Sequence, residues 1–117
     1  MRFSGDVVWE PRHATWFTPP ADDLLTEFRI SRVATDPPVV RAAADLAGWP
    51  GLLYLRLHGA PRIYYSEYAP DRLCELAQRL ARAGRGHPVR CIFDNTAAGA
   101  ATVNALALQE RVRALRT

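Results

Sequence analysis

Polar residues close four apolar runs in this chain. The run Val7-Val8-Trp9 leads into Glu10, with Arg12 and His13 just beyond. A second run ends at Asp36, a third carries Arg56 and ends at His58, and a fourth ends at Asp94-Asn95-Thr96. These residue types suit two kinds of chemistry. A carboxylate and an imidazole can move a proton, so Glu10 and His58 are the candidate catalytic groups. A guanidinium can hold a phosphate or carboxylate through two parallel hydrogen bonds, which makes Arg56, with Arg62 in the loop after it, the candidate anion clamp. Arg12, Asp36, Tyr68, Asp94, Asn95 and Thr96 complete the expected ligand-binding set. Tyr68 ends the cluster Tyr64-Tyr65-Ser66-Glu67-Tyr68, which could stack on a sugar or base. The small residues of Asn95–Ala101 leave a helix start approachable, with Asn95 or Thr96 as its cap and its N–H groups open to an anion. The plainer alternatives are structural ion pairs, Glu10–Arg12 and Asp36–Arg56, and close packing at an Ala/Gly-rich helix start.

Other chemistries lack a signal. No HxH, HxxxH or CxxC spacing is present, so no metal site is expected, although Glu10, Asp36 and His58 are ligand types that divalent ions accept. There is no GxSxG elbow, P-loop or GxGxxG turn. No cofactor follows from the sequence.

The elements that must position these residues are short. Val7–Glu10, Arg29–Asp36, Leu52–His58 and Val89–Asp94 read as strands bounded by Gly, Pro, Asp or Asn. The last two are nearly continuous apolar runs, as expected of parallel strands covered on both faces. Ala21–Phe28 reads as a short helix with acids in its first turn. Leu73, Leu76, Ala77, Leu80 and Ala81 form an amphipathic stripe, opened by Pro70 and closed by Gly84 and Gly86. Ala101, Ala105, Leu108, Val112 and Leu115 predict a second stripe, with arginines in its closing turns. One helical turn is expected near Arg41–Leu46. Strands alternating with helices predict an α/β fold with a parallel sheet. In such folds the carboxyl ends of the strands form the ligand rim. A shared rim also lets the charges pair or reach water, where isolated burial would cost several kcal/mol each.

The strings Val8-Trp9-Glu10-Pro11-Arg12-His13-Ala14-Thr15-Trp16-Phe17, Tyr54-Leu55-Arg56-Leu57-His58-Gly59 and Phe93-Asp94-Asn95-Thr96, with Gly99, Ala100 and Asn104-Ala105 following, resemble the YecE-like family, domain of unknown function number 72. Tyr65 and Tyr68 match its spaced tyrosines. The resemblance covers about Val7 to Leu108. It implies a TIM-like β/α barrel of unsettled activity, of which this chain is the C-terminal half, strands five to eight. Asp94 stands where the family usually has a second asparagine, a change that could alter the charge of the ligand or bind a cation. A complete barrel typically needs ~250 residues; this chain has 117. The half-barrel is expected to complete its sheet with a second copy, as a homodimer, or with a separate N-terminal half-barrel, unless its sheet stays open.

Composition narrows the classes. Hydrophobic residues make up 49% and charged residues 23%, too apolar for a disordered chain. The 117 residues amount to one domain, expected to span residues 1–117. No apolar run is long enough to span a membrane, and Met1–Asp6 lacks the apolar core of a secretion signal. Cys74 and Cys91 are expected to be buried reduced thiols of a cytoplasmic protein. Fifteen arginines against 12 acids leave a net +3, spread along the chain, and nineteen alanines with no lysine resemble a coding bias. That balance gives nucleic-acid binding only weak support. The expected role is a rim that binds an anionic or phosphate-bearing small molecule. The alternatives are a non-catalytic half acting through self-association and a nucleic-acid binder.

Overall fold

The computed structural model describes residues 4–116, so Met1–Phe3 of the N-terminal stretch lie outside the described residues. Its order is β1 (Val7–Trp9), α1 (Pro19–Glu27), β2 (Ile30–Arg32), β3 (Ala34–Asp36), β4 (Ala47–Gly48), β5 (Leu53–Leu57), α2 (Pro70–Ala83), β6 (Val89–Phe93) and α3 (Ala100–Leu115). Turns of 3-10 helix lie at Ala14–Trp16 and Arg41–Ala44, the second within the segment expected to hold a helical turn. The fold is mixed α/β with parallel strands.

Local chemistry starts the first two helices. The Thr18 hydroxyl accepts the Ala21 N–H, and Pro19 and Pro20 open α1 where their missing N–H groups cost nothing. Pro70 opens α2, and the chain leaves the helix at Gly84.

The run expected as one strand, Arg29–Asp36, is divided at Val33 into β2 and β3. Each half joins a different three-stranded sheet, ordered β1-β2-β4 and β3-β5-β6. The Val33 N–H donates to the Trp9 carbonyl, so the two halves run on beside β1. β1 with β2, β3 with β5 and β5 with β6 are parallel. The all-parallel expectation fails at β4, which pairs antiparallel to β2. The cause is local: Gly48 has φ +74, and a Cβ there would lie 2.6 Å from the Ile30 carbonyl oxygen. Its N–H donates to the Asp22 carboxylate, while Ser31 Oγ donates to the Trp49 carbonyl.

Register fixes the faces. Leu55 pairs with Cys91 and Leu57 with Phe93, while Arg56 lies between Thr35 and Ile92. The face bearing Leu55, Leu57 and Phe93 packs on Leu73, Leu76 and Leu80 of α2 and Leu108 of α3. Burying each leucine contributes roughly 1.5–3 kcal/mol. The opposite face carries half-buried Tyr54 and Arg56 and exposed Arg90 and Ile92. Burial on both faces, as expected for the last two strands, is therefore not observed, because the helical layer of α2 and α3 lies on one side. The stripe of α3 is also rotated from the expected one. Ala100, Asn104 and Leu108 are buried, whereas Ala105 and Leu115 are exposed. Both cysteines are free, but Cys74 is exposed and Cys91 is only partly buried. No helix among the described residues is long and apolar enough to cross a membrane.

Candidate functional site

Glu10, Arg56, His58 and Asp94 meet at the carboxyl ends of β1, β5 and β6. Arg56 is the hub. Its Nη1 donates to Glu10 Oε1 at 3.0 Å, and its Nη2 donates to Asp94 Oδ2. Arg12 closes the cluster from outside by pairing with Glu10, and its Nη2 lies 3.5 Å from His58 Nε2. His58 stands between the two carboxylates, 3.4 Å from Glu10 Oε2 and 3.1 Å from Asp94 Oδ2. The second approach lacks hydrogen-bond alignment, which leaves Nδ1 without a bonded partner.

Backbone bonds hold these side chains at one end of the sheet. The His58 N–H donates to the Asp36 carbonyl and the Asp94 N–H to the Leu57 carbonyl, extending the parallel ladders by one rung. Beyond His58 the chain folds back, and the Tyr64 N–H donates to the His58 carbonyl at 2.6 Å. Gly59 permits this with φ +102, since a Cβ there would sit 3.0 Å from the Arg62 carbonyl oxygen. The Tyr64 ring meets the imidazole edge to face at 6.2 Å. Beside it the Arg62 guanidinium covers the Tyr65 ring at 4.1 Å.

Two carboxylates and two guanidinium groups balance, so the cluster is close to neutral when His58 is uncharged. Burial alone would lower the pKa of Arg56. The hydrogen bond to Asp94 and the charges of Glu10 and Asp94 outweigh burial and raise it. Arg56 is thus a fixed cation joining two carboxylates. The anion clamp expected from Arg56 and Arg62 is not assembled, because both Arg56 terminal nitrogens are committed and Arg62 lies against Tyr65. The accessible cation is Arg12, whose side chain is 54% exposed. Among the described residues, no group of three His, Cys, Asp or Glu side chains converges to hold a metal.

The structure leaves four expected residues outside this cluster. Asp36 lies opposite Leu57 in the ladder, on the helix face, and its carboxylate is 3.8 Å from Arg72 of α2. The alternative pair Asp36–Arg56 therefore does not form. Tyr68 is buried in the core, its hydroxyl accepting the Gly59 N–H at 2.9 Å. Burial raises its pKa most, and the Gly59 hydrogen bond opposes that rise. Asn95 is fully buried and donates from Nδ2 to the Ser66 carbonyl and to Asn104 Oδ1. Neither Asn95 nor Thr96 caps α3, whose N-cap is Gly99 at φ +81 with no side-chain bond. Thr96 is exposed just after the rim.

Asn104 is a positioning residue that the sequence named only within a family motif, without a role. It accepts the Tyr68 N–H, donates to the Tyr68 carbonyl and receives Asn95, tying α3 to the loop behind His58. The signal was an asparagine inside an apolar helix, where an amide must be hydrogen-bonded to be tolerated.

Comparison with known proteins agrees with this architecture. No curated protein is matched by the sequence. The chain is similar in fold to a DUF72 family protein from Thermotoga maritima, with TM-score 0.74 and 22% identity over 98% of this chain and 48% of that one. A DUF72 family protein from Enterococcus faecalis, solved in two crystal structures, gives TM-scores of 0.73 and 0.70 at 23% and 21% identity. Each match covers 91% of this chain and 48% or 46% of that one. The chain spans about half the length of these relatives. The family model described as protein of unknown function DUF72 matches residues 2–117, and the chain belongs to that family.

Proposed function

We propose that this chain is one domain, the C-terminal half of a TIM-like β/α barrel, and that its strand ends form part of a mouth for an anionic, phosphate-bearing small molecule. The observation that carries the reading is the convergence of Glu10, Arg56, His58 and Asp94 from strands pointing the same way. Parallel sheets place ligands at that end. Arg12 is the cation that reaches the ligand, and Arg56 keeps Glu10 and Asp94 in place. Glu10 and His58 are the groups able to carry a proton. Tyr64 offers an exposed ring beside the imidazole.

Melting in the presence of pyrophosphate tests this reading. A ligand at a hundredfold excess over its Kd stabilises by about 2.7 kcal/mol, which raises the Tm by several degrees. Wild type is expected to show that rise and Arg12→Ala to lose it while melting normally without ligand. Equal protection of both proteins would overturn the assignment. Binding of a single-stranded oligonucleotide that weakens steeply with salt would favour the nucleic-acid alternative instead.

A further inference from the structure

The loop after β5 holds an aromatic residue where the backbone resists one. Tyr64 has φ +70, in the left-handed region that glycine or asparagine occupies with little strain and a bulky residue rarely does. The other non-glycine residue of this kind among the described ones, Arg29, follows the end of α1, where left-handed residues are common. Tyr64 ends no helix. Its place is fixed from both sides, because its N–H donates to the His58 carbonyl and its carbonyl accepts the Ala97 N–H at 2.9 Å.

Those bonds use only the backbone. Asparagine or glycine would make them with less strain, so they do not account for the ring. Nor does the core. The Tyr64 side chain is about half exposed, and among the described residues its hydroxyl has no hydrogen-bond partner. What the ring meets is the imidazole of His58. Backbone strain of this sort persists where the surroundings enforce it, and it gathers at binding sites.

The loop is braced. The Arg62 N–H donates to Ser66 Oγ, and the Ser66 carbonyl accepts the amide of buried Asn95. A fixed backbone therefore presents Tyr64 and Tyr65. Tyr65 already carries the Arg62 guanidinium on its face, which makes Tyr64, the more exposed of the two, the ring open to a ligand. His58 lies between two such groups: the Tyr64 ring on one side and the Arg12 guanidinium, 3.5 Å from Nε2, on another. One small molecule can meet both across the imidazole. A guanidinium pairs with a phosphate, and an aromatic ring stacks on the flat face of any nucleobase.

We infer that Tyr64 is a stacking residue and that the molecule bound at this mouth is a nucleoside monophosphate, its phosphate on Arg12 and its base on the Tyr64 ring. The inference rests on the anion site proposed above and names the class of molecule that fills it.

Calorimetric titration with adenosine monophosphate and with ribose phosphate, which lacks the base, tests it. Wild type is expected to bind the nucleotide about tenfold more tightly than the sugar phosphate. Tyr64→Phe is expected to keep that preference, since it loses only the hydroxyl. Tyr64→Asn, which suits the left-handed backbone, is expected to bind the two compounds alike and to melt at or above the wild-type temperature as strain is relieved. Equal affinities in the wild type, a preference that survives Tyr64→Asn, or a Tyr64→Asn protein that melts below wild type would overturn the role of Tyr64. Pyrophosphate tells the two readings apart. If it protects the wild type while the nucleotide gains nothing over ribose phosphate, the stacking residue alone is misassigned. If none of the three compounds binds, the anion site fails and the inference fails with it.

Discussion

Arg56 is bound on both sides by carboxylates, and that dictates what its loss should do. Without the guanidinium, Asp94 loses its arginine and Glu10 keeps only Arg12. Leaving charged partners unpaired in a partly desolvated site costs about 1–3 kcal/mol. Arg56→Met is expected to lose that much stability at pH 7. Urea unfolding reads the loss, and a loss below about 0.5 kcal/mol would show that the two pairs contribute little to stability. Asn104 makes a sharper structural prediction. Asn104→Leu strands the buried Tyr68 N–H and one donor of Asn95, and is expected to cost about 2–3 kcal/mol by the same measurement.

β6 shows how one strand serves two environments. Cys91 and Phe93 turn to the helices, while Arg90 and Ile92 turn away from them. Burial pushes the Cys91 thiol up to about 12, with Arg79 opposing the shift. An unfolded thiol ionises near 8.5. Between these values the unfolded chain has lost a proton that the folded chain retains, so stability falls as pH rises. The slope is about 1.4 kcal/mol per pH unit for this group. Cys91→Ala removes this contribution and is expected to flatten the decline between pH 9 and 11 in chemical unfolding. An unchanged slope would assign the decline to other groups, among them Tyr68, whose pKa burial also raises.

For the whole molecule, the unequal treatment of the two sheet faces matters most. The helix face holds the contiguous core, and the other face ends in the charged cluster. A parallel sheet in an α/β protein is ordinarily covered on both faces. Here the face turned away from α2 and α3 leaves Arg90 and Ile92 exposed.

Much of the plan was legible from local pattern. The α2 stripe, the Pro70 start, the 3-10 turn near Arg41 and three of the strands follow from short-range spacing, and the three motif strings pointed to the family. Local spacing also brought Glu10, Arg56, His58 and Asp94 to strand ends. It could not assign faces, because a side chain's face depends on ladder register, and a shift of one residue reverses it. Asp36 illustrates this: its place opposite Leu57 turns it to α2, while neighbouring Thr35 shares a rung with Arg56. Nor could it reveal that both nitrogens of Arg56 are occupied, that Tyr68 and Asn95 are interior, or that Leu115 faces outward. Those outcomes depend on contacts between residues far apart in the chain, which exist only once the strands and helices are packed together.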